Sequence, residues 1–299
     1  MFWGSRPLSM GTASVGYAND NNALQINPAG IAQPDWFSID LNYQRKEFET
    51  KDFPWYASNN NQTSAPRNPL EPPMFKPKGT ASKPKTTVDT WHISLVDHKT
   101  VKVIGAGVYF NGDNFPSQAA NENSGYEVGL GIAGDIADMI YIGGAGKYFQ
   151  PESNKSGFDL DLGFLINPAE FIGIGIAGRN IIPVERELQE WYPTDVALGI
   201  AGKISKYAVI DLDVTKRFNN VKKVFNSDNT FNFALGAEGT VKSHLGLRGG
   251  AYFDLIEKRN FYSFGIGWMA KEGSISAAFL DDFANYKNFD LSVQVGLTF

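Results

Sequence analysis

Two pairs of carboxylates stand at i, i+2 spacing, Asp159 with Asp161 and Asp211 with Asp213. In an extended chain that spacing puts both members of a pair on one face, as a general acid and a general base would require. Each pair sits inside a run that alternates apolar and polar residues. The repeat therefore follows strand geometry and reads first as a polar strand face. The three histidines, His92, His98 and His244, have no metal-ligand spacing, and the chain has no Cys to join them, so neither a metal nor a cofactor is expected. Gly129-Leu130-Gly131-Ile132-Ala133-Gly134 comes near a dinucleotide fingerprint, but it lies in a strand pattern with no helix after it. No nucleophile elbow or phosphate loop occurs either, and the chain is not expected to be an enzyme. The net charge of -5 argues against nucleic acid as a partner.

The elements that carry these residues are strands. In the last eleven residues Phe289, Leu291, Val293, Val295, Leu297 and Phe299 alternate with polar residues or Gly. Such a strand separates two environments. Its length of about 10 residues, with an aromatic at each end, suits a bilayer. The same alternation recurs along the chain. It gives Phe37, Ile39, Leu41 and Tyr43; Phe158, Leu160, Leu162 and Phe164; and Tyr262, Phe264, Ile266 and Trp268. Residues 101–110 are apolar on both faces, which leaves their register open. About fourteen such strands are expected, joined by connections that alternate long and short. Long ones fall near 49–86, 111–124, 150–156, 180–194, 218–229, 254–259 and 282–288. The pattern predicts an all-β fold, a transmembrane antiparallel up-and-down β-barrel. Mean hydropathy is -0.25, and no apolar run reaches the ~18 residues of a membrane helix. That is no obstacle, because barrels place their apolar residues at every second position.

Two segments break the strand period. Residues 49–86 contain Pro54, Pro66, Pro69, Pro72, Pro73, Pro77 and Pro84 and read as a long outer loop, since proline removes ladder donors. Residues 1–35 are small, polar and rich in Gly and Ala. The strand positions read as inward are also rich in Gly, among them Gly129, Gly131, Gly143, Gly163, Gly173, Gly175, Gly236, Gly246, Gly250, Gly265 and Gly267. Gly in a strand often marks the close approach of another backbone, and fourteen strands enclose more space than side chains fill. A folded segment inside the barrel would meet both conditions.

The leader runs from Gly11-Thr12-Ala13-Ser14 through Ala18-Asn19-Asp20 to Asn27-Pro28-Ala29-Gly30-Ile31-Ala32. With fourteen strands behind it, this resembles the start of the FadL-type long-chain fatty acid transporter superfamily, and it is as similar to that superfamily's PorV-like branch. The resemblance implies two parts: a hatch over 1–35 inside the barrel, and a barrel over 36–299 whose loop 49–86 is extracellular. It places the hatch turn, Asn27, Pro28, Ala29 and Gly30, deep in the lumen near any ligand. It implies passive transport of small hydrophobic, fatty-acid-like compounds across the outer membrane of a Gram-negative bacterium. No signal peptide opens the chain, so an exported protein would have lost one. Membrane lipid and a hydrophobic small molecule are the implied partners. Two other roles stay open. One is protein docking of the PorV-like kind through 49–86. The other is homo-oligomeric self-association through small-residue faces such as Gly199 to Gly202.

Asp40, Glu127, Asp159, Asp161, Asp211, Asp213 and Glu238 are read as inward carboxylates, opposed by Arg248, Arg217, Lys203 and Arg6 in a polar lumen. Trp36, Tyr43, Trp91, Tyr109, Tyr126, Tyr148, Phe158, Tyr207, Tyr262, Trp268 and Phe299 are read as outward aromatics at the membrane interfaces.

Overall fold

The computed structural model describes residues 4–33, 35–49, 85–114, 125–152, 155–182, 192–205, 207–218, 229–242, 244–256, 258–283 and 288–299. In these residues the alternating runs form fourteen strands: β1 (Phe37–Glu49), β2 (Lys85–Asp97), β3 (Ile104–Asn114), β4 (Gly125–Asp135), β5 (Ile140–Glu152), β6 (Lys155–Ala169), β7 (Ile172–Arg179), β8 (Asp195–Ser205), β9 (Ala208–Arg217), β10 (Phe231–Val241), β11 (Leu245–Asp254), β12 (Arg259–Ala270), β13 (Gly273–Asp282) and β14 (Phe289–Thr298). Each strand pairs antiparallel with its sequence neighbours. β1 also pairs with β14, setting Leu41 opposite Val295 and Tyr43 opposite Val293, which closes the sheet. Closure removes the free edges that an open sheet of this length would expose.

Period-2 alternation sends apolar side chains outward all round the barrel. Leu130, Ile132 and Phe264 are 68%, 61% and 60% exposed. A water-soluble surface does not carry a continuous belt of Leu, Ile and Phe; a bilayer-spanning barrel does. No described helix is long and apolar enough to cross a membrane, and the crossing is made by strands. One edge of the belt is visible on the first hairpin. There the Tyr43 ring lies 4.7 Å from Trp91, and two residues further on Arg45 Nε donates to Asp89 at 2.8 Å.

Tight turns gather at one rim, which holds the chain's last residue. Phe299 N–H donates to the Phe37 carbonyl at 2.9 Å. Asp97 and Asp135 each accept backbone N–H bonds from the turn that follows them, the usual way a short acid stabilises a turn.

Two sequence expectations are corrected. Residues 101–103 belong to the β2–β3 turn, and β3 begins at Ile104 with Val108 and Phe110 outward. Its inward positions include Tyr109, which is 1% exposed and is therefore no interface aromatic. The 150–156 connection is not long, because β5 and β6 continue to Glu152 and Lys155 through a register shift after Phe149. A second Asn-Pro-Ala, Asn167-Pro168-Ala169, ends β6, with an irregularity between Ile166 and Ala169, and the turn comes after it.

Residues 4–33 lie against the inward strand faces. Helix α1 (Ser5–Ser9) contacts β11–β14, the short helix α2 (Ala23–Ile26) contacts β3 and β4, and a 3-10 turn at Pro28–Ala32 contacts β3–β6. Between α1 and α2, Gly16 sits on β7 and β8. The apolar core is consequently shared between leader and wall: Leu8, Val15 and Ile26 meet Ala177, Ala197 and Phe261, while Leu24, Ala29 and Ile31 meet Val96, Tyr109 and Leu165.

Candidate functional site

Asn27 is fully buried and begins the 3-10 turn. Its Oδ1 accepts from Ala29 N–H at 3.3 Å. Pro28 follows at the first helical position, where its missing N–H costs nothing. Asn27 Nδ2 donates to the Val15 carbonyl at 3.1 Å and to the Phe164 carbonyl of β6 at 3.2 Å. One side chain thus fastens the turn to itself, to the earlier leader and to the wall. Gly30 packs on the Ala18 carbonyl so closely that a Cβ would collide with it. On the wall opposite Pro28 and Ala29 stand Gly143 and Gly163, where a side chain would strike the leader backbone. Gly173, Gly175, Gly236 and Gly250 are likewise in contact with leader backbone. Gly129, Gly246 and Gly267 instead make room for the side chains of Tyr109 and Arg248.

The predicted lumen residues are dispersed around the wall instead of forming one constellation, and Glu127, Asp213 and Glu238 among them hold the leader. Asp213 Oδ2 accepts from Ser14 N–H at 2.8 Å and Val15 N–H at 3.0 Å. Glu238 accepts from Arg6 Nε at 2.7 Å and Arg248 Nε at 2.8 Å, and Arg6 also reaches Asp20 at 3.3 Å. Burial works against the Arg6 charge, but Glu238 and Asp20 outweigh it and hold its pKa above the ordinary arginine value. Glu127 accepts from Tyr109 Oη at 2.7 Å and from Gln25 of α2 at 3.3 Å. Asp40 accepts from Gln294 at 2.8 Å.

The Asp159/Asp161 pair divides its work. Asp161 holds Lys147 at 2.8 Å and Asn180 N–H at 2.8 Å, while Asp159 accepts Ile182 N–H at 3.0 Å. Both acids organise the chain after β7. Asp211 is fully buried beside Asp213. Lys203 reaches out over the Tyr17 ring at 5.2 Å, with Arg6 4.8 Å from the same centroid. Arg217 lies across from Asp195 in the β8–β9 register. Among the described residues no group of His, Cys, Asp and Glu has the arrangement of a metal site.

Several participants escaped the sequence reading. Ser5 Oγ meets Ser292 Oγ at 2.8 Å, and Asn42 Nδ2 donates to Ser292 Oγ at 3.0 Å, joining α1 to the β1–β14 seam. Asn167 donates to Gln33 at 3.1 Å, so the second Asn-Pro-Ala also touches the leader. Tyr192 stacks on Phe149 with centroids 3.7 Å apart, both buried. Single polar residues on an inward face carry no periodic signal that would separate an anchor from a filler.

Of the expected interface aromatics, Trp91, Trp268 and Phe299 are exposed on the outer surface at 53%, 56% and 61%, whereas Trp36 is half-buried before β1. Gly199 faces inward onto Gly16 and Gly202 faces the other way, so they share no outer face. The long segment 49–86 falls mostly outside the described residues.

Solved structures share this architecture over almost the whole chain. A Pseudomonas aeruginosa FadL homologue matches with a TM-score of 0.62 at 12% identity, covering 99% of this chain and 98% of its own. The toluene transporter TbuX of Ralstonia pickettii matches with a TM-score of 0.63 at 12% identity, covering 99% and 97%. The P. putida toluene transporter TodX matches with a TM-score of 0.60 at 12% identity, covering 99% and 96%. At that identity the likeness is one of fold. No family model matches the chain, and no curated protein matches it.

Proposed function

We propose that this chain is an outer-membrane barrel of a Gram-negative bacterium that passes small hydrophobic compounds without chemistry or energy input, residues 1–35 serving as its hatch. The observation that carries the reading is a lipid-facing barrel whose lumen holds the leader by polar side chains against bare glycine walls. Anchors of this kind can be exchanged for water or cargo one at a time, because each is worth only about 1–3 kcal/mol net, the upper end belonging to the charged ones. The fold shared with a FadL homologue and with two toluene transporters supports the same class of cargo. Within that class, fatty-acid-like carboxylates and uncharged hydrocarbons are both admissible. Asn27, Pro28, Ala29 and Gly30 would form the moving turn, released from Phe164 when the path opens.

The test is uptake of a hydrophobic solute by cells making the full chain, the chain lacking residues 4–33, or neither. Uptake should rise with the full chain above the protein-free level. Equal rates with and without the protein would end the transport reading.

A further inference from the structure

The lumen's charges are paired unequally. Among the described residues, Arg6, Lys46, Lys147, Arg179 and Arg248 each lie within ion-pair distance of a carboxylate. Lys203, at the short-turn rim, lies over an aromatic ring. The reverse does not hold. Asp40, Asp113, Glu127, Asp159, Asp211 and Asp213 face inward, each at most 8% exposed, and no described cation stands within ion-pair distance of any of them.

Their partners are neutral: Gln294 for Asp40, Tyr109 for Glu127, and backbone N–H groups for Asp159 and Asp213. These acids also span the barrel's height. Asp113 and Glu127 lie toward the ends of β3 and β4 that the long connection joins, Asp211 and Asp213 lie in mid-strand, and Asp40 lies near the start of β1 by the short-turn rim. Moving the leader makes the imbalance larger, because it withdraws Arg6 from Glu238 and two N–H donors from Asp213.

We infer that the lumen sorts cargo by charge: uncharged and cationic small hydrophobic compounds pass, and carboxylates and other anions are turned back. The inference rests on the transport reading and narrows it. Among the described residues, a cargo molecule crossing the barrel meets these acids from rim to rim with no cation within ion-pair distance of them, and a ring of like charge in a pore raises the barrier for that sign. Low-dielectric walls focus the field along the lumen.

Three probes of one ring size test it: toluene, benzyltrimethylammonium and benzenesulfonate. Full-length protein is placed in vesicles whose outer leaflet is lipopolysaccharide, which slows hydrophobic solutes. Toluene and the ammonium ion should cross faster than in protein-free vesicles, with the ammonium ion about tenfold faster than the sulfonate. Asp211→Asn combined with Asp113→Asn, two isosteric changes at buried acids outside the ion pairs, should shrink that ratio. Either charged probe matching the other, whether both cross or neither does, overturns charge sorting while accelerated toluene leaves transport standing. Toluene no faster than in protein-free vesicles removes transport and the sorting with it. If the double variant fails to assemble, the wild-type ratio alone decides.

Discussion

Asn27 shows how much a single side chain can carry in a segment with little regular structure. Its oxygen caps the 3-10 turn, and its amide spans two carbonyls on different parts of the fold. Asn27→Ala removes all three bonds and leaves the Val15 and Phe164 carbonyls short of a donor in a buried place. Losing the cap and stranding buried acceptors should together cost about 2–3 kcal/mol. Most of that cost falls on the leader, because the strands keep their own ladders. Hydrogen exchange should show residues 28–32 losing protection while β5 and β6 keep theirs. Unchanged protection in the turn would mean that packing of Leu24 and Ile31, and not Asn27, holds it.

Strands were the most legible elements, for a physical reason. A chain between lipid and a polar lumen must alternate, so Val293, Val295 and Leu297 declare their face without any knowledge of their neighbours. Where the alternation fails, legibility fails with it. β3 begins with apolar residues on both faces, because its inward Tyr109 fills space beside Gly129 and Leu24 instead of facing lipid, and its register could not be fixed. The β5–β6 hairpin continues past Phe149 through a register shift that no composition signals. Inward carboxylates were visible as polar positions, but their division into ion-paired and unpaired groups depends on which strands meet, and Lys147 went unnoticed as the partner of Asp161.

The lipid-facing assignment is tested at this scale by Val295, which is outward in β14 between Leu41 and Ile275, midway between the Tyr43 edge of the belt and the Phe299 rim. Val295→Arg should destabilise the barrel by about 2–4 kcal/mol in urea titrations in lipid vesicles, the range for a charge near the bilayer midplane. The same substitution at Phe299, on the rim, should cost about 0–1 kcal/mol. Equal costs at the two sites would place the outer face in water.

At the scale of the molecule, wall and filling are separable. The fourteen strand pairings, the β1–β14 seam included, are made by backbone ladders that do not pass through residues 4–33. The leader adds apolar contact, with Leu8, Leu24, Ile26 and Ile31 each buried to within 2%; such side chains stabilise by about 1.5–3 kcal/mol apiece on full burial. A chain lacking residues 4–33 should therefore assemble as a closed barrel of lower stability, recognisable by the heat-dependent gel mobility of folded barrels and by a lower melting midpoint. It loses what fills its lumen. Fourteen strands leave a bore that side chains do not close, and the inward glycines that now meet leader backbone would line open water. In a planar bilayer the truncated chain should give a steady ionic conductance where the full chain is silent or flickers. Sealing by the wall itself, through collapse of the lumen or through the long connections, predicts the opposite: a truncated barrel that folds and stays silent. That result would detach gating from the leader even if hydrophobic uptake by the full chain were secure.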